Sequence, residues 1–111
     1  MSRITRLLMC LAFVALVAMF VLAYVNRVAP RNGYVNRGIA WQNKKQYDKA
    51  IGDYNEAIRL DPTFALAYNN RGNAWRDKKE YAKAIADYND AIRLDPMYAP
   101  AYASRGAAWG P

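Results

Sequence analysis

The sequence predicts an all-α protein in which helix-turn-helix repeats stack into an α-solenoid, preceded by one hydrophobic helix. The first observation is internal similarity: when residues 31–64 are aligned with residues 65–98, 21 of the 34 positions are identical. Self-similarity at a period of ~20–50 residues is typical of solenoid arrays. The second observation is an apolar run near the N-terminus that is long enough to cross a bilayer.

The apolar run covers 19 residues, from Leu7 to Val25, without a charge. At ~1.5 Å per residue its helix is about 28 Å long, close to the ~30 Å hydrocarbon core of a membrane. Arg3 and Arg6 precede the run, as in an export signal, and Tyr24 lies where an interfacial aromatic residue is expected. We expect a signal anchor, with residues 7–25 in a membrane and the protein crossing it once.

Two alternatives remain for this segment. A cleaved signal peptide, cut after Ala23, would leave a secreted or periplasmic protein. A buried helix of a soluble domain is disfavoured because the run has no polar face. Cys10 is not a typical lipoprotein cysteine, since Met9 precedes it where a small residue is needed.

The short N-terminal tail favours repeats on the extracytoplasmic side, although Arg27 and other later arginines argue weakly for the opposite orientation.

The composition argues against several classes of function. The net charge is +7, but from Asn32 onward 12 basic residues are interspersed with 9 acidic ones. This pattern is typical of a solvated helical surface, so we expect no nucleic-acid partner. The chain has one cysteine and no histidine. The commonest general base and metal ligand are therefore absent, and we expect no enzyme activity, cofactor or metal site.

Each repeat contains two helical patterns separated by a short polar turn. Tyr68, Gly72 and Trp75 recur at three- and four-residue steps on one helix face, and Ala84 and Tyr88 follow on the next. The Asp-Pro pairs at 61–62 and 95–96 end the second helices, because the residue before proline leaves the α region. The predicted helices are Ile4–Arg27, Asn32–Lys45, Tyr47–Leu60, Ala65–Lys79, Tyr81–Leu94 and Ala99–Trp109.

Small and aromatic residues recur at fixed places and are expected to pack the repeats together. Without bulky side chains, Gly38 and Gly72 should let the first helix approach Ala50 and Ala84 of the second. The recurring structural positions are Tyr34, Gly38, Trp41, Ala50, Tyr54, Ala57 and Pro62 in one repeat, and Tyr68, Gly72, Trp75, Ala84, Tyr88, Ala91 and Pro96 in the next.

The pattern resembles the tetratricopeptide repeat, in the variant with Asn-Arg-Gly on the first helix and Ala-Ile-x-Asp-Tyr on the second. Here these motifs are Asn36-Arg37-Gly38 with Ala50-Ile51-Gly52-Asp53-Tyr54, and Asn70-Arg71-Gly72 with Ala84-Ile85-Ala86-Asp87-Tyr88. The resemblance implies a right-handed α-solenoid. We divide the chain into an N-terminal segment, 1–28, and a repeat domain, 31–111, with repeats at 31–64 and 65–98 and a partial third repeat, 99–111, acting as a cap.

In similar repeats, first-helix residues line a concave groove that binds an extended peptide or a helix. Carried over by position, the resemblance implies a groove formed by Asn32, Val35, Ile39, Gln42, Asn43, Leu66, Asn69, Asn73, Arg76 and Asp77. Some repeats of the family bind the C-terminal carboxylate of a peptide with lysine and asparagine side chains. We do not expect that binding mode here. Val35 and Ile39 occupy positions where such a clamp needs polar and basic groups, and Ala103 and Ala107 add none.

Arginine and aspartate recur together in this variant, and we predict that they pair. Arg37, Arg71 and Arg105 each precede a glycine, and Asp53 and Asp87 each precede a tyrosine. A partly buried arginine needs a carboxylate, and its planar fork suits a bidentate partner. Pairing within a repeat is one alternative. Because the partial repeat keeps Arg105, we favour pairs between neighbouring repeats, Asp53 with Arg71 and Asp87 with Arg105.

The sequence therefore predicts a non-enzymatic scaffold that is membrane-anchored or exported and binds a protein or peptide partner in a small concave groove. The alternative is a truncated or vestigial array with a structural role and no specific ligand. Arrays usually need about three repeats and a polar cap, and this sequence has two repeats and half of a third.

Overall fold

The computed structural model describes residues 2–109, and these residues form six α-helices and no β-strand. The prediction of an all-helical chain is confirmed. Helix α1 spans Arg3–Ala23, α2 Ala29–Asn43, α3 Tyr47–Leu60, α4 Ala65–Asp77, α5 Tyr81–Leu94 and α6 Ala99–Trp109. Each helix from α2 to α5 packs against the helix that follows it, and α4 also contacts α2 and α6. The bounds of α3, α5 and α6 are those predicted from the sequence.

The N-terminal helix is exposed along its whole length and continues into the first repeat helix without a break. A π-helical turn, Tyr24–Val28, joins α1 to α2, and the backbone N–H of Ala29 donates to the Tyr24 carbonyl. Pro30 explains the wider turn, because it has no N–H to donate and its ring crowds the preceding turn. The predicted end of the N-terminal helix at Arg27 and the predicted start of the first repeat helix at Asn32 are therefore wrong. By its length and composition, the continuous helix is long and apolar enough to cross a membrane.

The first helix of each repeat ends earlier than predicted, because a lysine leaves the helical conformation. Lys45 and Lys79 have φ values of 60° and 64°, in the left-handed region. The backbone N–H of Glu80 donates to the Trp75 carbonyl and that of Lys79 to the Arg76 carbonyl, a pairing that satisfies the last carbonyls of a helix. The predicted ends of the first helices at Lys45 and Lys79 are thus corrected to Asn43 and Asp77.

The Asp61-Pro62 pair ends α3 as predicted and also forms a polar cluster that the sequence did not reveal. Asp61 is extended and accepts hydrogen bonds from the backbone and hydroxyl of Thr63. The Arg31 guanidinium bonds to the same carboxylate and lies 4.0 Å from the centroid of the Phe64 ring. Burial acts to raise the pKa of Asp61, but the hydrogen bonds from Thr63 and Arg31 outweigh it and hold that pKa below its usual value.

Two tyrosines and a set of alanines form the core between paired helices. Tyr54 and Tyr88 are fully buried, on α3 and α5. A Cβ built on Gly38 would lie 2.5 Å from Cε1 of Tyr54, and one on Gly72 would lie 2.6 Å from Cε1 of Tyr88. The glycines therefore lie against tyrosine rings, and the prediction that they face Ala50 and Ala84 is corrected. A flat ring fills the space that a second small residue would leave empty.

Helix α6 packs on α5 through its small residues. Ala101 and Ala108 are buried, whereas Tyr102 is 43% and Trp109 69% exposed. The contact of the partial third repeat with α5 is therefore made by alanines and not by its two large aromatic residues. Because first helices approach their neighbours closely in this fold, alanines fit the contact and the larger rings point away from it.

Candidate functional site

The predicted groove residues lie along the first helices of both repeats, and most are accessible. Ile39, Gln42, Leu66, Asn73, Arg76 and Asp77 are exposed or half-buried, and we call these six residues the first-helix face. They recur at three- and four-residue steps on α2 and α4, which contact each other. The structure therefore places residues from two repeats on one accessible surface. Asn32 and Asn43 are also exposed, but they make no side-chain hydrogen bond with the described residues.

Two predicted groove residues do not line an open surface. Val35 is only 2% exposed and packs in the core with Ile51 and Tyr54. Its assignment to the groove is wrong, because an apolar side chain at this position is covered by the second helix. Asn69 is 4% exposed, and its Oδ1 atom has no hydrogen-bond partner among residues 2–109. Such an atom contributes a desolvation cost of about 1–3 kcal/mol.

A chain of hydrogen bonds fixes polar side chains across the two first helices. The buried Tyr54 hydroxyl donates to Gln42 Oε1 over 2.8 Å. Gln42 Nε2 in turn donates to Asp77 Oδ2 over 3.0 Å, which links α2 to α4. The orientation of these groups is thus set before any ligand arrives.

The second repeat holds Asn73 in the same manner. The Tyr88 hydroxyl donates to Asn73 Oδ1 over 2.7 Å, so the Asn73 amide nitrogen remains available as a donor. Burial raises the pKa of both Tyr54 and Tyr88 to about 12, above the ordinary value of 10.0. Both tyrosines therefore keep their donor proton at physiological pH.

The arginine-aspartate pairs form within each repeat, not between repeats as predicted. Arg37 Nε and Nη2 donate to the two carboxylate oxygens of Asp53 over 2.8 and 2.6 Å. Arg71 donates to Asp87 in the same bidentate manner, over 2.8 and 2.7 Å. The predicted pairs of Asp53 with Arg71 and of Asp87 with Arg105 are therefore wrong. The first helix packs directly against the second helix of its own repeat, which brings these groups together.

The contact between repeats uses asparagine instead. Arg71 Nη1 donates to Asn55 Oδ1 over 2.9 Å, and Arg105 Nη1 donates to Asn89 Oδ1 over 3.0 Å. Sequence reasoning missed both asparagines, although each directly follows the Asp-Tyr pair and recurs after 34 residues. Because an asparagine oxygen accepts the hydrogen bond between repeats, each aspartate binds only the arginine of its own repeat.

The two ion pairs differ in burial. The Arg37 side chain is 61% exposed, whereas the Arg71 side chain is 22% exposed because a further repeat helix packs beside it. Burial raises the pKa of the Asp87 carboxyl, although Arg71 acts in the opposite direction. The hydrogen bond to Asp87 raises the pKa of Arg71 above its ordinary value. Asp87 is therefore costly to bury without its arginine.

The structure offers no obvious place for a metal ion within residues 2–109, where no group of three or more histidine, cysteine, aspartate or glutamate side chains converges. The surface carboxylates at positions 48, 56 and 90 pair with Lys78, Arg59 and Arg93.

The sequence matches known families over the repeats. Residues 43–75 match the profile described as TPR repeat, and residues 65–98 match the profile described as tetratricopeptide repeat. No curated protein matches the sequence significantly.

Several solved structures share the fold of this chain. The first TPR of Spaghetti (RPAP3), bound to the HSP90 peptide SRMEEVD, is 30% identical, with a TM-score of 0.73, over 74% of this chain and 67% of that one. The first TPR domain of human RPAP3 is 32% identical, with a TM-score of 0.70, over 71% and 62% of the two chains. The TPR2B domain of yeast Sti1, in a complex with an Hsp70 peptide, is 30% identical, with a TM-score of 0.70, over 72% and 64%. By its repeated sequence and by its fold, this chain belongs to the tetratricopeptide-repeat family.

Proposed function

We propose that this protein is a non-enzymatic interaction scaffold that binds a peptide or a helix on the first-helix face. The observation that carries the proposal is the chain of hydrogen bonds from Tyr54 through Gln42 to Asp77, together with the bond from Tyr88 to Asn73. Polar groups held in place by buried residues lose little side-chain entropy on binding, so preorganisation favours affinity. The similar domains of Spaghetti and Sti1 are seen with bound peptides, which supports the same class of partner.

The chemistry of the face suits a peptide backbone with a mixed side-chain pattern. The Asn73 amide can donate to a backbone carbonyl, and the Asp77 carboxylate can accept from a backbone N–H. Ile39 and Leu66 add apolar area, and Arg76 adds a positive charge. We further propose that the helices form part of a right-handed α-solenoid, with this face on its concave side.

Substitutions on the first-helix face should weaken peptide binding. Peptides that bind the full chain in detergent micelles would be selected from a displayed peptide library. Their affinity for the chain would then be measured by fluorescence anisotropy. We expect Arg76→Ala and Leu66→Ala to reduce the affinity of the selected peptides by at least about tenfold, or ~1.4 kcal/mol, since each removes a contact but no core packing. Arg93→Ala is the matched control, because Arg93 is exposed on α5.

Equal affinity of the selected peptides for wild type, Arg76→Ala and Leu66→Ala would show that the peptide site lies elsewhere.

The HSP90 peptide SRMEEVD serves as a second probe. We expect it not to bind, because Val35 is buried and the alanines at positions 103 and 107 bring no positive charge to the groove. Tight binding of this peptide would contradict the proposed chemistry of the face.

We propose that α1 anchors the protein in a membrane with the repeats on the extracytoplasmic side, and that the alternative is release after cleavage near Ala23. Support comes from the length, the apolar character and the complete exposure of α1. No other apolar surface among residues 2–109 covers it, and such a helix needs lipid or a partner.

The anchor can be tested by fractionation of cells that express the full chain. We expect the uncleaved chain in the membrane pellet after an alkaline wash, and accessible to protease from the extracytoplasmic side. Leu11→Arg combined with Leu16→Arg should abolish insertion, since each arginine at the centre of a membrane helix costs about 2.5–3.5 kcal/mol. Recovery of a soluble chain that begins at Tyr24 would instead establish the cleaved signal.

A further inference from the structure

A cavity of about 600 Å³ lies at the junction of α1 with the first repeat. Phe20, Val21 and Tyr24 line its apolar part, and Arg27 and Asp61 line its polar part. Asp61 reaches this place because α3 runs back along α2, so that the end of α3 lies beside the start of α2. The volume of the cavity is within the range of about 300–1,000 Å³ that is typical of ligand sites. We call it the junction cavity.

The depth of the junction cavity along α1 relates it to a bilayer. Phe20, Val21 and Tyr24 belong to the uncharged run, and Arg27 follows the end of that run by two residues, or ~3 Å along a helix. The headgroup layer is roughly 5–8 Å thick on each side of the hydrocarbon core. With the run in the hydrocarbon core, the apolar part of the cavity lies beside acyl chains and Arg27 lies among headgroups.

The polar part of the junction cavity has an uncompensated positive charge. The Asp61 carboxylate already accepts hydrogen bonds from Arg31 and Thr63. Arg27 is exposed and makes no ion pair with any carboxylate of residues 2–109. Two arginines therefore accompany one ionised aspartate, and a ligand with one negative charge balances them. A guanidinium can donate two parallel hydrogen bonds to a phosphate group.

We propose that the junction cavity binds one anionic phospholipid. Its phosphate binds the Arg27 guanidinium, and an acyl chain packs on Phe20 and Val21. This inference rests on the proposed anchoring of α1 in a membrane and deepens it, because it names the class of lipid that the junction selects. The site uses none of the residues of the first-helix face.

The chemistry of the cavity favours a lipid over the other occupants. Its apolar part offers water few hydrogen-bond partners, and a free phosphate ion has no group to cover Phe20 and Val21. A peptide would have to unfold its backbone at the edge of the hydrocarbon core, where unpaired N–H and C=O groups are costly. A phospholipid combines the apolar chain with the negative group at the spacing that the bilayer itself imposes.

The test uses the full chain in detergent micelles, titrated with phosphatidylglycerol or with phosphatidylcholine of the same acyl chains. Native mass spectrometry counts the lipids bound to each chain. We expect one phosphatidylglycerol to bind saturably, and about fivefold more tightly than phosphatidylcholine, whose ammonium group adds a positive charge beside two arginines.

Arg27→Gln should weaken the binding of phosphatidylglycerol about fivefold and remove the preference for it, as expected when one arginine near an anionic lipid is lost. Arg6→Gln is the matched control. It also removes one arginine that flanks the apolar run, but at the opposite end of α1. Binding at the junction cavity should be unchanged in this control.

Val21→Trp should weaken the binding of both lipids, because the indole ring fills the apolar part of the cavity. Val21 is 55% exposed, so this substitution disturbs no core packing. Val14→Trp is the matched control, since Val14 is 62% exposed on the same helix but does not line the junction cavity. Lipid binding should be unchanged in Val14→Trp.

The outcomes separate this inference from the anchor itself. A chain that enters the membrane pellet but binds both lipids equally, or keeps its preference in Arg27→Gln, would overturn the lipid site and leave the anchor standing. A chain that does not enter membranes would overturn both. A dimer without bound lipid that Val21→Trp dissociates would show that a second copy fills the cavity, and would also overturn the lipid site.

Discussion

Gly72→Leu should destabilise the repeat domain by roughly 2–4 kcal/mol. Even a single Cβ at this position would lie 2.6 Å from Cε1 and 2.9 Å from Cδ1 of Tyr88, which is closer than carbon atoms pack. The Tyr88 ring cannot move aside, because it is fully buried and its hydroxyl is bonded to Asn73. The leucine therefore forces α4 and α5 apart, and the apolar contacts between them are lost together.

The measurement is urea unfolding of the full chain in detergent micelles, followed by tryptophan fluorescence, which reports on the repeats because α1 contains no tryptophan. Gly52→Leu is the matched control, since a Cβ on Gly52 has no atom within 4 Å. It should be neutral or slightly stabilising, because leucine favours a helix more than glycine by up to about 1 kcal/mol. Equal unfolding midpoints for Gly72→Leu and Gly52→Leu would show that the close approach of α4 and α5 is not required.

Asp87→Asn should destabilise the domain by about 2–3 kcal/mol, because it replaces one of the two oxygens that accept from Arg71 with an NH2 donor and leaves a half-buried cation without a carboxylate. The matched variant is Asp53→Asn in the first repeat. There the arginine is 61% exposed and can turn toward water, so the cost should be clearly smaller than that of Asp87→Asn.

A double-mutant cycle with Arg71→Gln and Asp87→Asn isolates the pair itself. We expect a clear coupling energy in this cycle, and a much smaller one for Arg71→Gln with Asp53→Asn, since those two residues are not bonded to each other. Equal costs for Asp87→Asn and Asp53→Asn would show that burial does not control the strength of these pairs.

The secondary structure and the family follow largely from local sequence. Helices α3 and α5 begin and end as predicted, because Asp-Pro stops each helix through a steric effect that needs no tertiary contact. Lys45 and Lys79 lie beyond the ends of α2 and α4, contrary to the predicted bounds. Their left-handed conformation is imposed by the tight turn between two packed helices, which local propensity does not contain.

The residues of the first-helix face were predicted only in part. Positions 42, 73, 76 and 77 are accessible as expected, because residues three or four apart share a helix face. Val35 was misplaced because the same periodicity does not say how far the second helix reaches around the first. The hydrogen bond from Tyr54 to Gln42 was not anticipated, since it joins residues on different helices.

By itself, the sequence determined the helical repeats, their 34-residue period, the exposed apolar helix and the need of each arginine for a carboxylate. These are properties of spacing, composition and unpaired charge. Only the tertiary structure decided which carboxylate Arg37 and Arg71 hold. Asp53 is 16 residues after Arg37 and 18 before Arg71, and both separations recur in every repeat. Which of the two arginines binds Asp53 depends on which helix faces meet. The packing of tyrosine rings onto glycines of another helix sets those faces.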